Sequence, residues 1–182
     1  MVIRPAVAAD RDWIVGTLRE RWGSTTVATR DRLRDAVTLE ALVAVDTTCE
    51  HEPERVGLLT YRIDTEGLEV VTIDTLRTCC GIGTGLMARA IQTARDSGAP
   101  RVWLITTNDN LHAIKFYEKQ GFRIIAVHRG AVDRARVLKP SIPLVAENGI
   151  ELHDELELEL ILAPGLQVSA DVQPGDASAT VR

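Results

Sequence analysis

Residues 76–86 (LRTCCGIGTGL) carry the clearest chemical signal in the chain, with Gly81, Gly83 and Gly85 set at alternate positions. Glycine lets the backbone approach a ligand closely and leaves successive N–H groups exposed. A long helical pattern starts at once behind the loop, and a helix N-terminus adds partial positive charge. The amides of Thr78, Cys79, Cys80, Gly81, Ile82, Gly83, Thr84 and Gly85 are therefore candidates to bind a pyrophosphate, with no lysine required. The plainer alternative is a loop whose glycines serve tight turning only. A Walker-type loop would need Gly-Lys-Ser/Thr, and the chain supplies Thr84-Gly85-Leu86. A dinucleotide-binding fingerprint fits better, since Asp109 follows at about the required distance. Against it, the last glycine falls one place early, and five residues (76–80) separate the strand from Gly81.

The elements that must position this loop can be read from periodicity. Residues 2–4 form a short strand, and 8–10 offer a cap before an amphipathic helix carrying Trp13, Ile14, Leu18 and Trp22. Residues 29–39 are expected to be a second helical piece. Residues 41–46 and 56–64 read as strands, 65–67 as a hairpin turn, and 68–75 as the strand that feeds the loop. A helix over 83–97 is stopped by Gly98 and Pro100. Residues 102–106 form a continuous apolar strand of the parallel, buried kind, with Trp103 in the core. A helix over 111–119 ends at Gly121, and 122–127 is another strand. In 154–162 the leucines Leu156, Leu158 and Leu160 alternate with Glu155, Glu157 and Glu159, which predicts a strand with one face in solvent. The result is an α/β (α+β) domain, with a mixed, mostly antiparallel sheet flanked by helices, over residues 1–162. Residues 163–182, rich in Ala, Pro, Gly, Ser and Asp, read as a flexible tail.

Composition narrows the classes of function. The length of 182 residues suits one domain, and the net charge of -5 speaks against nucleic acid and mildly for a cationic substrate. No apolar run approaches the roughly 20 residues of a membrane helix. The N-terminus lacks a secretory pattern, so the cytoplasm is the expected compartment. Cys49, Cys79 and Cys80 have no paired spacing, which predicts free thiols with neither a disulfide framework nor a metal site. An exposed edge strand in so small a sheet would suit a homodimer.

Residues 73–122 resemble the GNAT acetyltransferase superfamily. The family's Arg/Gln-x-x-Gly-x-Gly/Ala loop falls on Thr78-Cys79-Cys80-Gly81-Ile82-Gly83, with Thr at the first position and Cys79 where glycine is common. A second segment, Asn110 to Phe122, is similar to the family's Asn-x-x-Ala…Tyr-Glu-x-x-Gly-Phe pattern at every key position. The likeness is weaker over 1–75 and poor over 128–153, a stretch longer than the usual connection. The resemblance implies the GNAT-like acyl-CoA N-acyltransferase fold, acetyl-CoA as the acetyl-donor cosubstrate and no metal. It also implies that Asn110 faces the pantetheine arm and that Tyr117 sits near the thioester sulfur.

On that reading an amine, of a small molecule or a peptide N-terminus, attacks the thioester directly through a tetrahedral intermediate. An ammonium must first lose a proton, for which a carboxylate serves as base. Strand alternation places Glu69 with Val71 and Ile73 on one face and Asp74 on the other. The resemblance favours the Glu69 face, although a bulge near Asp74 would change the parity. A backbone N–H near Thr75 or Leu76 would stabilise the oxyanion, and Tyr117 would protonate the leaving thiolate. His112 reads as a surface histidine. The basic stretch His128, Arg129, Arg134, Arg136 and Lys139 reads as a solvated face, within an extension that would wall the acceptor site. Two rival functions remain: a catalytically silent CoA-binding regulatory domain of the same fold, and an NAD-binding oxidoreductase using Asp109.

Overall fold

Continuous runs buried on both faces in β4 (Glu40–Asp46), β5 (Glu54–Asp64) and β6 (Gly67–Thr75) build an antiparallel meander at the centre of the molecule. The computed structural model describes residues 1–30, 32–48, 53–77 and 81–162. Thr78, Cys79, Cys80, Cys49 and the expected tail over 163–182 lie outside them. β1 (Val2–Pro5) pairs with β4, while β7 (Arg101–Thr107), β9 (Glu155–Ile161) and β8 (Arg123–His128) extend the other side. The seven-stranded order is β1-β4-β5-β6-β7-β9-β8, and β6–β7 is its one parallel pair. The mixed, mostly antiparallel sheet is the architecture expected.

Each face of the sheet carries its own core. On one face α2 (Ile82–Asp96) lays Leu86, Met87, Ala90 and Ala94 onto Leu59, Leu68, Val70, Val102 and Leu104. Phe122 and Tyr117, from the end of α3 (Leu111–Lys119), join the same cluster. On the opposite face α1 (Arg11–Trp22) packs Ile14 and Leu18 against Ala41, Leu58 and Val71. Asp10 anchors the start of α1: its fully buried carboxylate accepts from Arg4 (2.6 Å), Arg55 (2.7 Å) and the Val7 N–H (2.8 Å). The Arg4 hydrogen bond, above all, holds that carboxyl well below its usual range.

Three expectations are corrected. Residues 29–39 are not helical: β2 (Thr26–Thr29) and β3 (Arg32–Asp35) form a separate hairpin, followed by one 3-10 turn over Ala36–Thr38. Val27 and Thr29 alternate inward, whereas the charged run after them offers no apolar stripe of helical period. The turn itself puts Arg30 at φ 48°, a left-handed conformation. The glutamate face of β9 is not in solvent either. Glu155 is 3% and Glu157 5% exposed, beneath a layer made by the β2–β3 hairpin and a fourth helix, α4 (Ala131–Leu138). Glu155 accepts from the Arg30 N–H (3.0 Å), Glu157 pairs with His128 (3.0 Å), and Arg101 reaches Glu159 (2.7 Å). Arg30 and Arg101 lie 5.2 and 5.3 Å from the ring centre of Trp103, which is fully buried as expected.

The third correction concerns the basic stretch. Arg129 and Arg134 are exposed as expected, but Arg136 on α4, whose Ala131, Val132 and Ala135 are buried, and Lys139 just past its end are only half-exposed. Arg136 donates to the carbonyls of Pro143 (2.8 Å) and Leu152 (2.5 Å), and Lys139 to those of Trp22 (3.2 Å) and Thr26 (2.8 Å). These two cations hold backbone rather than face solvent.

Candidate active site

β6 and β7 pair only over Leu68↔Val102, Glu69↔Trp103 and Val70↔Leu104. Beyond Val70 they separate, β6 staying with β5 and β7 with β9. The separation begins at a bulge: Tyr61 pairs with Val70 and Thr60 with Thr72, so Val71 is an extra residue on β6. The two strands therefore face each other across a gap with unpaired backbone edges. A cavity of about 720 Å3 fills it, lined by both strands, the start of α2, one side of α3 and Trp22. Facing polar backbone edges across such a gap suit an extended chain that bears amides.

Gly81 caps α2 at φ 69°, and among the described residues no side chain hydrogen-bonds the helix end. The N–H groups of Ile82, Gly83 and Thr84 therefore open on the cavity, as an anion site requires. Gly81, Ile82, Gly83 and Thr84 all line it, as does Arg77, whose guanidinium pairs with Asp46 and Glu54. Gly85 does not line it. A Cβ there would stand 2.6 Å from Ile3 Cδ1, so its lack of a side chain serves the contact of α2 with β1. Gly57, which sequence reasoning missed, has the matching role on β5. A Cβ on Gly57 would lie 2.5 Å from Ile82 Cγ2, so the glycine lets the first turn of α2 sit down on the sheet.

Asn110, Ala113, Phe116 and Tyr117 bring α3 to the cavity. The Asn110 side chain caps α3, its oxygen accepting from the Ala113 N–H at 3.2 Å. Tyr117 is buried between Phe116 and Phe122, with ring centres 5.3 and 5.9 Å away. Burial, reinforced by the charge of Asp74, pushes its hydroxyl far above the ordinary phenol value, which favours the protonated form. His112 also lines the cavity from the exposed end of α3, a placement its position in the motif did not suggest.

The bulge overturns the expected parity of the two carboxylates. Glu69 sits opposite Arg62 and Asp74 opposite Leu58, and those partners are four residues apart on one regular strand. Glu69, Val71 and Asp74 thus share the face of α1, while Ile73 points to the α2 core. Their surroundings differ. Neither carboxylate lines the cavity, although Ile73 and Thr75, which flank Asp74, both do; Glu69 is 2% exposed and neutralised by Arg62 and by Arg34 at 3.8 Å. Asp74 has no such partner among the described residues. Its Oδ2 accepts from Trp22 Nε1 at 2.8 Å. Burial raises its pKa, against the lowering effect of that indole N–H and of Arg21. Trp22, placed by its spacing on the packed face of α1, is thereby also a cavity residue.

Of the two amides considered for an oxyanion, Leu76 is engaged: its N–H donates to the Val56 carbonyl at 2.9 Å. Antiparallel ladders alternate, so the N–H of Thr75 points away from β5 and toward the gap. The Thr75 carbonyl does likewise, accepting from Arg21 at 3.2 Å. Both Thr75 and Leu76 were candidates, and Thr75 is the one on the cavity.

This arrangement agrees with known proteins. The Acetyltransferase (GNAT) family model matches residues 11–122. The chain is 36% identical over 156 residues to protein YdhI of Bacillus subtilis (strain 168), covering 86% of this chain and 95% of that protein. A Bacillus subtilis acetyltransferase solved in complex with CoA shares the fold with a TM-score of 0.61 at 21% identity, covering 88% of this chain and 98% of that one. A GNAT family acetyltransferase from Elizabethkingia anophelis with acetyl-CoA bound gives 0.60 at 21% identity, covering 88% and 97%. The chain belongs to the GNAT family of acetyltransferases, and it is an acyltransferase.

Proposed function

We propose that this enzyme transfers the acetyl group of acetyl-CoA to a primary amine, with the gap between β6 and β7 as the donor site. The observation that carries the reading is the coincidence of three features on one cavity: unpaired strand edges, a glycine-led helix start and a buried tyrosine. The strand edges suit the amide-bearing arm, and the amides of Ile82, Gly83 and Thr84 suit the pyrophosphate. Thr78, Cys79 and Cys80 would continue that cradle. Acetyl-CoA supplies an acetyl thioester, and the chain supplies the proton handling around it. Asp74, rather than the ion-paired Glu69, takes the proton from the ammonium, directly or through a water. The Thr75 N–H faces the carbonyl oxygen as charge develops on it. The carbon–nitrogen bond forms first, and as the tetrahedral intermediate collapses and the carbon–sulfur bond breaks, Tyr117 gives its proton to the sulfur and the nitrogen's second proton, passed on through water, restores it.

Two linked measurements test this. Thermal unfolding with acetyl-CoA at about 100 times its dissociation constant should show a gain of roughly 2.7 kcal/mol, with no gain from NAD. Thiol release should then appear with at least one amine among polyamines, aminoglycosides, amino acids and alanine-terminated peptides. Stabilisation without thiol release across that panel would favour the silent regulatory domain. No stabilisation at any concentration would remove the donor site itself.

A further inference from the structure

We propose that the 129–153 extension is part of the machinery that holds the Asp74 carboxylate, with Lys139 as a positioning residue acting through Trp22. The inference rests on the reading of Asp74 as the proton acceptor.

The end of β6 is held by a strand on one side only, because β7 has left it. The last turn of α1 takes over that task. Trp22 donates its indole N–H to Asp74 (2.8 Å), and Arg21 donates to the Thr75 carbonyl (3.2 Å). These residues end their helix, where Gly23 turns the chain at φ 70° and the last carbonyls have no partner within the helix. Lys139 supplies partners: its ammonium bonds the carbonyls of Trp22 (3.2 Å) and Thr26 (2.8 Å), binding the two ends of the turn that follows α1. A cation at a helix C-terminus is favourable, and this one is half-buried enough that desolvation lowers its pKa. No carboxylate pairs with Lys139 among the described residues, so its charge is committed to those carbonyls.

Lys139 is itself held firmly. α4 docks on β2 and β3, and Arg136 ties the helix to the carbonyls of Pro143 and Leu152. The far end of the extension is fixed to the β7–α3 loop, beside Asn110. Asn108 donates to the Glu151 carbonyl (2.8 Å) and accepts from the His153 N–H (3.0 Å), while Asn148 donates to the Asp109 carbonyl (2.9 Å). The extension thus joins the two banks of the cavity, the α1 end and the α3 start. Asp74 meets Trp22 and Arg21 from α1, its charge is felt by the Tyr117 hydroxyl on α3, and β5 presents the apolar Leu58. Lys139 reaches it only through the position of Trp22.

The test is a carbon-13 NMR titration of the Asp74 carboxyl, assigned with Asp74→Asn, beside kcat/KM against pH with the fastest amine of the panel. Trp22→Phe removes the donor, so the titration and the acid limb should both move to higher pH, with kcat/KM below the limb about tenfold lower. Lys139→Met should move both the same way by a smaller amount, about threefold in rate, and Lys139→Arg should restore them. Acetyl-CoA affinity should stay within about twofold in both Lys139 variants. If Lys139→Met leaves the titration at its wild-type position, or loses acetyl-CoA affinity as well, the proposal is overturned. If Asp74→Asn keeps full activity and its acid limb, the reading beneath it fails instead.

Discussion

The two ends of β6 carry the same kind of side chain on the same face, yet only one end resembles a place for chemistry. At its start the strand is paired on both sides, and Glu69 is closed in by Arg62 and Arg34. At its finish, five residues on, the strand has lost β7, and Asp74 is left with an indole N–H and burial. A buried carboxylate that is fully paired holds structure, because its charge is already satisfied. One that is partly desolvated and incompletely paired binds a proton more readily, and so fits general base work. What separates them is one extra residue, Val71, which opens the sheet and turns Asp74 to the face of Glu69.

That contrast can be attacked by substitution. Asp74→Asn should lower kcat/KM by about a thousandfold, the range of general base catalysis, while leaving the fold intact. Tyr117→Phe should cost about a hundredfold in kcat with acetyl-CoA affinity kept, as expected of a proton donor at the same open end. Glu69→Gln should do the reverse. Denaturant unfolding should show a loss of about 3 kcal/mol, because two guanidinium groups lose their buried partner, while kcat/KM at low temperature holds within about threefold. Gly57→Ala should weaken acetyl-CoA about tenfold by pushing the first turn of α2 off the sheet. Gly85→Ala should leave that affinity unchanged. The new methyl meets the flexible side-chain ends of Ile3 and Met1, and the better helix propensity of alanine, about 1 kcal/mol, offsets the crowding.

Much of this architecture was legible in the residues. Residues 41–46, 56–64 and 68–75 were legible as strands with a hairpin turn at 65–67, and the glycine-led start of α2 and the Asn110 to Phe122 segment both line the cavity. The errors have physical causes. A bulge leaves no mark in Val70-Val71-Thr72, so strict alternation assigned Asp74 to the wrong face. The charged run 30–35 has no period of its own, and a hairpin formed because Arg30, Arg34 and the glutamates of β9 and β6 satisfy one another across the sheet. The same long-range pairing buries Glu155 and Glu157, which local alternation would place in water. Trp22 shows a different limit. Its helical spacing predicted packing, but its bond to Asp74 spans 52 residues of sequence and becomes visible only in the folded chain.

The most direct test of this account is kcat/KM against pH for wild type, Asp74→Asn and Glu69→Gln, measured side by side. Burial raises the Asp74 pKa, so its carboxyl is protonated and unable to accept a proton below that value, and wild-type activity should rise with pH through it and then level. The account predicts that Glu69→Gln keeps this limb, whereas Asp74→Asn loses both the limb and most of the activity. An unchanged profile in Asp74→Asn, with the limb lost in Glu69→Gln, would contradict it and return the base to the paired end of the strand.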